Sequence, residues 1–146
     1  MKKLLILLLA AGVIILAACA SGGDRMEGEN TFTQIDQETA REMMTRDDGH
    51  VVVDVRRQDE YDAGHIPGAI LVPNESIGNS PPEALPDYDQ IILIYCRSGN
   101  RSKQAAEKLA GMGYTNVYEF GGITDWTGEV VTAEEGQTAK TADALM

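Results

Sequence analysis

Hydrophobic positions follow two rhythms along this 146-residue chain. Val51-Val52-Val53-Asp54-Val55 and Ile91-Ile92-Leu93-Ile94-Tyr95 are nearly unbroken apolar, β-branched runs, the pattern of strands buried on both faces. From Ser102 to Met112 apolar residues recur at helical spacing, and Gly111 and Gly113 supply a stop. Thr31–Ile35 reads as a short first strand, followed by a helix from Gln37 to about Arg46 that Asp36 caps and that Asp47, Asp48 and Gly49 break. Gln58–Asp62 has room for one or two helical turns, and Ala69–Val72 for a third strand closed by Pro73. Pro81, Pro82 and Pro86 make Asn74–Asp87 a surface excursion with at most a short helix at Glu75–Gly78. Val117–Phe120 forms a last core strand, after which Gly121-Gly122 turns the chain toward Trp126. Strands alternating with helical segments predict an α/β fold, a mostly parallel sheet with helices on both faces.

The ends follow different rules. Lys2 and Lys3 precede an apolar stretch, Leu4–Ala18, and small residues lead up to Cys19, which is a secretory signal pattern. Leu16-Ala17-Ala18-Cys19 resembles the lipobox of bacterial lipoproteins, in which cleavage leaves the cysteine as a lipidated N-terminus. The expected organisation is a signal peptide over 1–18, lipidated Cys19 with a flexible polar tether over 19–30, one domain over 31–132, and a disordered tail over 133–146. The expected location is the cell envelope, on the extracytoplasmic side of a bacterial membrane, held by the N-terminal lipid alone. The 128 residues after position 18 suit a single domain with its own core. With no conspicuous apolar exposed helix, a monomer is expected.

The net charge of −11 becomes −13 once Lys2 and Lys3 are removed, which disfavours nucleic acid and anionic lipid as partners. Any positive field is local to Arg97 and Arg101. If Cys19 is spent on the anchor, Cys96 has no disulfide partner in a compartment where disulfides form, so its thiol invites a chemical reading. Cys96 closes a strand, and the residues up to Arg101 must turn into the following helix. Gly99 readily takes positive φ and Asn100 tolerates it, so the loop amides can converge as an anion nest. A helix N-terminus and nearby cations lower a thiol's pKa and favour the nucleophilic thiolate. No second cysteine or paired histidine offers metal-ligand spacing, and no cofactor is expected.

Asp54-Val55-Arg56, Glu60-Tyr61, Gly64-His65-Ile66-Pro67-Gly68-Ala69, Cys96-Arg97-Ser98-Gly99-Asn100-Arg101-Ser102 and Gly121-Gly122-Ile123 with Trp126 together resemble single-domain rhodaneses, over about Gln34 to Val131. The resemblance implies a three-layer domain with a five-stranded sheet, and sulfur transfer as its chemistry. The Cys96 thiolate would take the sulfane sulfur of a small anionic donor such as thiosulfate and pass it from a persulfide to a thiol or other nucleophile. Arg97, Ser98, Gly99, Asn100, Arg101 and Ser102 would bind substrate, their amides and the helix dipole stabilising thiolate, persulfide and leaving anion.

Asp54, Arg56, Glu60 and His65 are read as support. Arg101 is expected to brace the loop against a buried carboxylate such as Asp54, and Arg56 to pair with Glu60 or Asp59. A rhodanese-type thiolate needs no base, so His65 is expected to tie down its turn. His50 is expected to be exposed without a partner, and Trp126 to pack beside the last helix or border the pocket. Two rival functions remain: a cysteine phosphatase or arsenate reductase, and a non-catalytic binding module. The former favour a Cys-x5-Arg loop, whereas here the sixth residue after Cys96 is Ser102 and the arginine comes one earlier.

Overall fold

A computed structural model describes residues 31–136. The readings of a signal peptide, of Cys19 and its tether, and of the tail beyond 136 lie outside the described residues. The elements run β1 (Thr33–Gln34), α1 (Gln37–Met44), β2 (Val51–Asp54), α2 (Gln58–Ala63), β3 (Ile70–Leu71), β4 (Ile91–Cys96), α3 (Asn100–Gly111) and β5 (Asn116–Gly122). Single 3₁₀ turns occupy Asn74–Ser76 and Ile123–Asp125. All four strand pairings are parallel, in the order β1-β5-β4-β2-β3. Among the described residues no helix is long and apolar enough to cross a membrane.

Successive strand residues point to opposite faces, so β4 builds two cores at once. Ile92, Ile94 and Cys96 pack with Val53 and Val55 against Ala105, Ala106 and Leu109 of α3. Leu93 and Tyr95 pack with Val52 and Phe120 against Ala40 and Met43 of α1. Central strands with no solvent face need apolar residues at every position, which is why β2 and β4 lack the alternation of a half-exposed strand.

Local chemistry sets the ends of the elements. Asp36 caps α1 by accepting the Thr39 amide at 2.8 Å. The helix after Cys96 begins at Asn100, two residues earlier than its hydrophobic period suggests, because Gly99 at φ +99° serves as its N-cap. That left-handed conformation favours glycine. β5 runs on through Gly122, where the sequence reading placed a turn at Gly121-Gly122. The pairing slips there: Ile94 faces Glu119 but Cys96 faces Gly122, leaving one extra residue on β5 as a bulge beside Cys96. Beyond it the chain folds back, His65 and Val131 exchanging two amide hydrogen bonds of 2.9 Å. A further helical turn covers 133–136, where a disordered tail was expected; Thr132 caps it, its hydroxyl accepting the Glu135 amide.

Face alternation also redraws the expected ion pairs. Asp54 lies between Val53 and Val55, so it points away from α3 and Arg101 cannot reach it. Its partner is Arg56, the pair closing at 2.7 Å with both side chains buried. Arg56 also donates to the carbonyl of Gly64 at 2.6 Å, tying the end of β2 to the end of α2. Replacing Arg56 by Leu strands the Asp54 charge and is expected to cost about 3–5 kcal/mol of unfolding free energy, read by denaturant titration. An unchanged midpoint would show that the pair does not hold these elements together.

Candidate active site

Cys96 ends β4 inside the α3-side core, 1% exposed. Burial pushes its thiol up; hydrogen bonding by the Ser102 hydroxyl and by the amides of Ser102, Gly99 and Ser98 outweighs this and leaves the pKa below the ordinary thiol value. The Gly99 amide lies 3.0 Å from the sulfur. Substitution of water by fixed N–H groups is what lets a buried sulfur carry charge.

The loop is held from below by β5. A Cβ at Gly122 would lie 2.2 Å from the carbonyl oxygen of Arg97 and 2.6 Å from the Ser98 Cα, so only glycine permits this approach. The Arg97 carbonyl is itself fixed, accepting from the Thr124 amide at 3.2 Å and hydroxyl at 2.9 Å. Arg97, Ser98 and Asn100 face solvent around the sulfur. The Arg97 guanidinium makes no ion pair among the described residues, which leaves its charge available to an incoming anion.

Arg101 has the bracing geometry expected of it, with a different partner. Its two terminal nitrogens donate to the two oxygens of Glu60 at 2.7 and 2.9 Å. Glu60 also accepts the Arg57 amide at 3.1 Å, so one carboxylate caps α2 and anchors the start of α3. Arg56, expected on Glu60 or Asp59, is taken by Asp54, and Asp59 bonds the exposed Arg57 instead.

His65 stacks on Tyr61 with ring centroids 3.7 Å apart, and its Nδ1 lies 2.9 Å from the Tyr61 carbonyl oxygen. Those contacts tie a turn together. His50 is half-buried and bonded to Asp48 at 2.7 Å, not free as expected, because Asp48 turns back over the loop before β2. Trp126 packs on Phe120 in the α1-side layer, ring centroids 5.8 Å apart, on the opposite side of the sheet from α3.

Glu119 escaped the sequence reading. It is 2% exposed and accepts from the Ser102 hydroxyl at 2.6 Å, the Gly121 amide at 2.8 Å and the Gln34 side-chain amide at 3.1 Å. The signal lay in Val117-Tyr118-Glu119-Phe120: period two puts Glu119 on the same face as Val117, a charge where a core side chain belongs. A groove of about 540 Å³ runs along α1 between Gln37 and Thr45, and Gln37 at its end donates to the Gly122 carbonyl at 2.8 Å. Among the described residues no three His, Cys, Asp or Glu side chains cluster as a metal site would require.

The profile of the rhodanese-like domain matches residues 36–129. The thiosulfate sulfurtransferase GlpE of Pseudomonas entomophila (strain L48) is 41% identical over 96 residues, covering 65% of this chain and 84% of the relative. The thiosulfate sulfurtransferase PspE of Escherichia coli (strain K12) is 38% identical over 73 residues, 50% of this chain and 70% of the relative. Among solved structures, a rhodanese with anions from E. coli superposes with a TM-score of 0.53 at 34% identity, over 57% of this chain and 99% of that one. A rhodanese-like domain protein from Staphylococcus aureus gives 0.59 at 28% identity, over 69% and 98%.

The Glu60 clamp makes a measurable demand on pH. Hydrogen bonding from Arg101 holds the Glu60 carboxyl at about 2, against an ordinary 4.5. A depressed folded-state value stabilises the fold above the ordinary value and loses that contribution as pH falls from about 4.5 toward 2. Glu60→Gln is therefore expected to lower the melting temperature at neutral pH and to flatten its decline over that acid window. Parallel melting curves for the two proteins would remove the clamp from the stability of the site.

Proposed function

The chain belongs to the rhodanese-like domain family, and we propose that it is a sulfurtransferase that moves sulfane sulfur from thiosulfate or a related anion, through a Cys96 persulfide, to a thiol acceptor. The observation that carries this reading is the arrangement at Cys96: a buried sulfur facing loop amides, next to Arg97, which is exposed and makes no ion pair among the described residues. The named activity of the relatives supports the same chemistry.

In this mechanism the Cys96 thiolate attacks the outer sulfur of the donor, a new S–S bond forms, the donor's own S–S bond breaks and sulfite leaves with its electron pair. Loop amides stabilise the charge wherever it resides, first on Sγ, then on the terminal persulfide sulfur. Arg97 attracts the sulfonate end of the donor, and Arg101, occupied by Glu60, keeps the cradle in shape. Attack by an acceptor thiolate on the terminal sulfur returns Cys96 and completes the cycle.

The loop length favours sulfur over a tetrahedral phosphate or arsenate group. Only Arg97, Ser98 and Gly99 separate Cys96 from α3, and the Arg101 fork is spent on Glu60. The lipobox-like Leu16–Cys19 segment supports an exported protein anchored at the cell envelope by lipid on Cys19, with donor and acceptor met outside the cytoplasm.

Thiocyanate formation from thiosulfate and cyanide tests the reading. Wild-type protein is expected to turn over and to gain the mass of one sulfur atom with thiosulfate alone, and Cys96→Ser to lose both properties. Folded wild-type protein that does neither would overturn the assignment. Arg97→Glu is expected to raise KM for thiosulfate about tenfold or more with a smaller change in kcat, on the loss of one charge-assisted contact and the gain of a repulsion. An unchanged KM would take Arg97 out of donor binding.

A further inference from the structure

The residue that follows Cys96 is held by its carbonyl oxygen. The hydrogen bonds that the Arg97 carbonyl accepts among the described residues both come from Thr124, the amide at 3.2 Å and the hydroxyl at 2.9 Å. A carbonyl oxygen offers two lone pairs, so one residue occupies it fully. The same peptide rests on Gly122, where an added Cβ would come within 2.2 Å of the Arg97 oxygen and 2.6 Å of the Ser98 Cα. Gly122 is itself held from α1, its carbonyl accepting from the Gln37 side chain at 2.8 Å. Cys96 and Gly122 are register partners in β4 and β5, so the 3₁₀ turn that bears Thr124 begins beside the nucleophile, on a braced strand end.

A peptide unit is planar and trans, so its C=O and N–H point in opposite directions. Turning the Arg97 oxygen to Thr124 therefore turns the Ser98 N–H away from Thr124. Burial pushes the Cys96 thiol up, and the donors of Ser102, Gly99 and Ser98 bring it below its ordinary value. Rotation of the Arg97–Ser98 unit would carry its carbonyl, the negative end of the dipole, toward an anion that needs donors. Arg97 and Ser98 are exposed, which leaves the hold on this unit to its β5 side.

We propose that Thr124 is a positioning residue for the nucleophile, its hydroxyl fixing the Arg97–Ser98 peptide with the carbonyl turned out of the cradle and the N–H turned in. It acts through the peptide and not by contact with the sulfur. Any residue at this position could offer the amide; the hydroxyl is what the threonine side chain adds, and its single proton is spent on the Arg97 oxygen. The inference rests on the reading of Cys96 as the nucleophile and is independent of which sulfur donor it meets.

The test is the pH profile of iodoacetamide alkylation of the full chain in mild detergent, followed on the Cys96 peptide by mass spectrometry. Alkylation follows the thiolate, so its midpoint reads the thiol pKa. Thr124→Val keeps the β-branched shape and the amide, and is expected to move the midpoint up by about half a pH unit, the scale of one lost hydrogen bond. Below the midpoint the variant then reacts about threefold more slowly than wild type. Thr124→Ser, which returns the hydroxyl, is expected to restore the wild-type profile. None of these substitutions changes a charge, so Arg97 in the loop, Arg101 with Glu60 and Glu75, Glu119 of β5 and Asp125 of the 3₁₀ turn act alike in every protein compared. Thr124→Ala also removes the hydroxyl and keeps the amide, and decides the matter should Thr124→Val not fold. A midpoint that stays in place without the hydroxyl, or that Thr124→Ser fails to restore, would overturn the proposal whatever the melting temperatures do. Alkylation needs no sulfur donor, so failure of the thiosulfate assay and failure of this role for Thr124 are separate results.

Discussion

A sulfur buried at the end of a strand can bear charge only if backbone amides replace the water it has lost, and the rest of this structure serves that exchange. Cys96 has given up solvent almost completely. What it receives comes from Gly99, whose amide approaches to 3.0 Å, and from the first turn of α3, whose free N–H groups point back toward the strand. The curl that aims these groups depends on the left-handed conformation of Gly99. It also depends on the end of β5 lying close enough to support the loop, which the missing side chain of Gly122 allows.

Two ion pairs then fix the frame, one on each face of the sheet. Asp54 and Arg56 close under Tyr95 on the α1 side and reach the carbonyl before His65. Glu60 and Arg101 close on the α3 side and join the cap of α2 to the helix that carries the cradle. The division of labour between the arginines follows from these partners. Arg101, doubly bonded to a carboxylate, positions; Arg97, exposed and unpaired among the described residues, is free to meet an anion.

Much of this was legible in the chain. The β-branched runs marked β2 and β4, Asp36 marked the start of α1, and the Cys96–Ser102 segment marked the site, because each rests on local chemistry that a sequence displays directly. The pairing of charges was harder to read, since nearness in sequence says little about which face a side chain takes. Asp54 stands in the sequence as one example of a carboxylate for Arg101, but its place between Val53 and Val55 turns it to the other side of the sheet. Reading Val117–Phe120 simply as a last core strand misses Glu119, whose place in the alternation puts a carboxylate in the core facing Ser102. Trp126 is expected beside the last helix or at the border of the pocket, and only the course of the chain after the β5 bulge takes it to Phe120 on the other face.

The central claim is that Cys96 carries sulfur as a covalent intermediate, and the most direct test is to follow the sulfur itself. Thiosulfate radiolabelled in its outer sulfur would be given to the protein in a single turnover, the chain cleaved without reductant, and the label located by peptide mapping. The account predicts label on the peptide containing Cys96, released when a small thiol is added. Label that never enters that peptide, in protein shown to be folded, would contradict it.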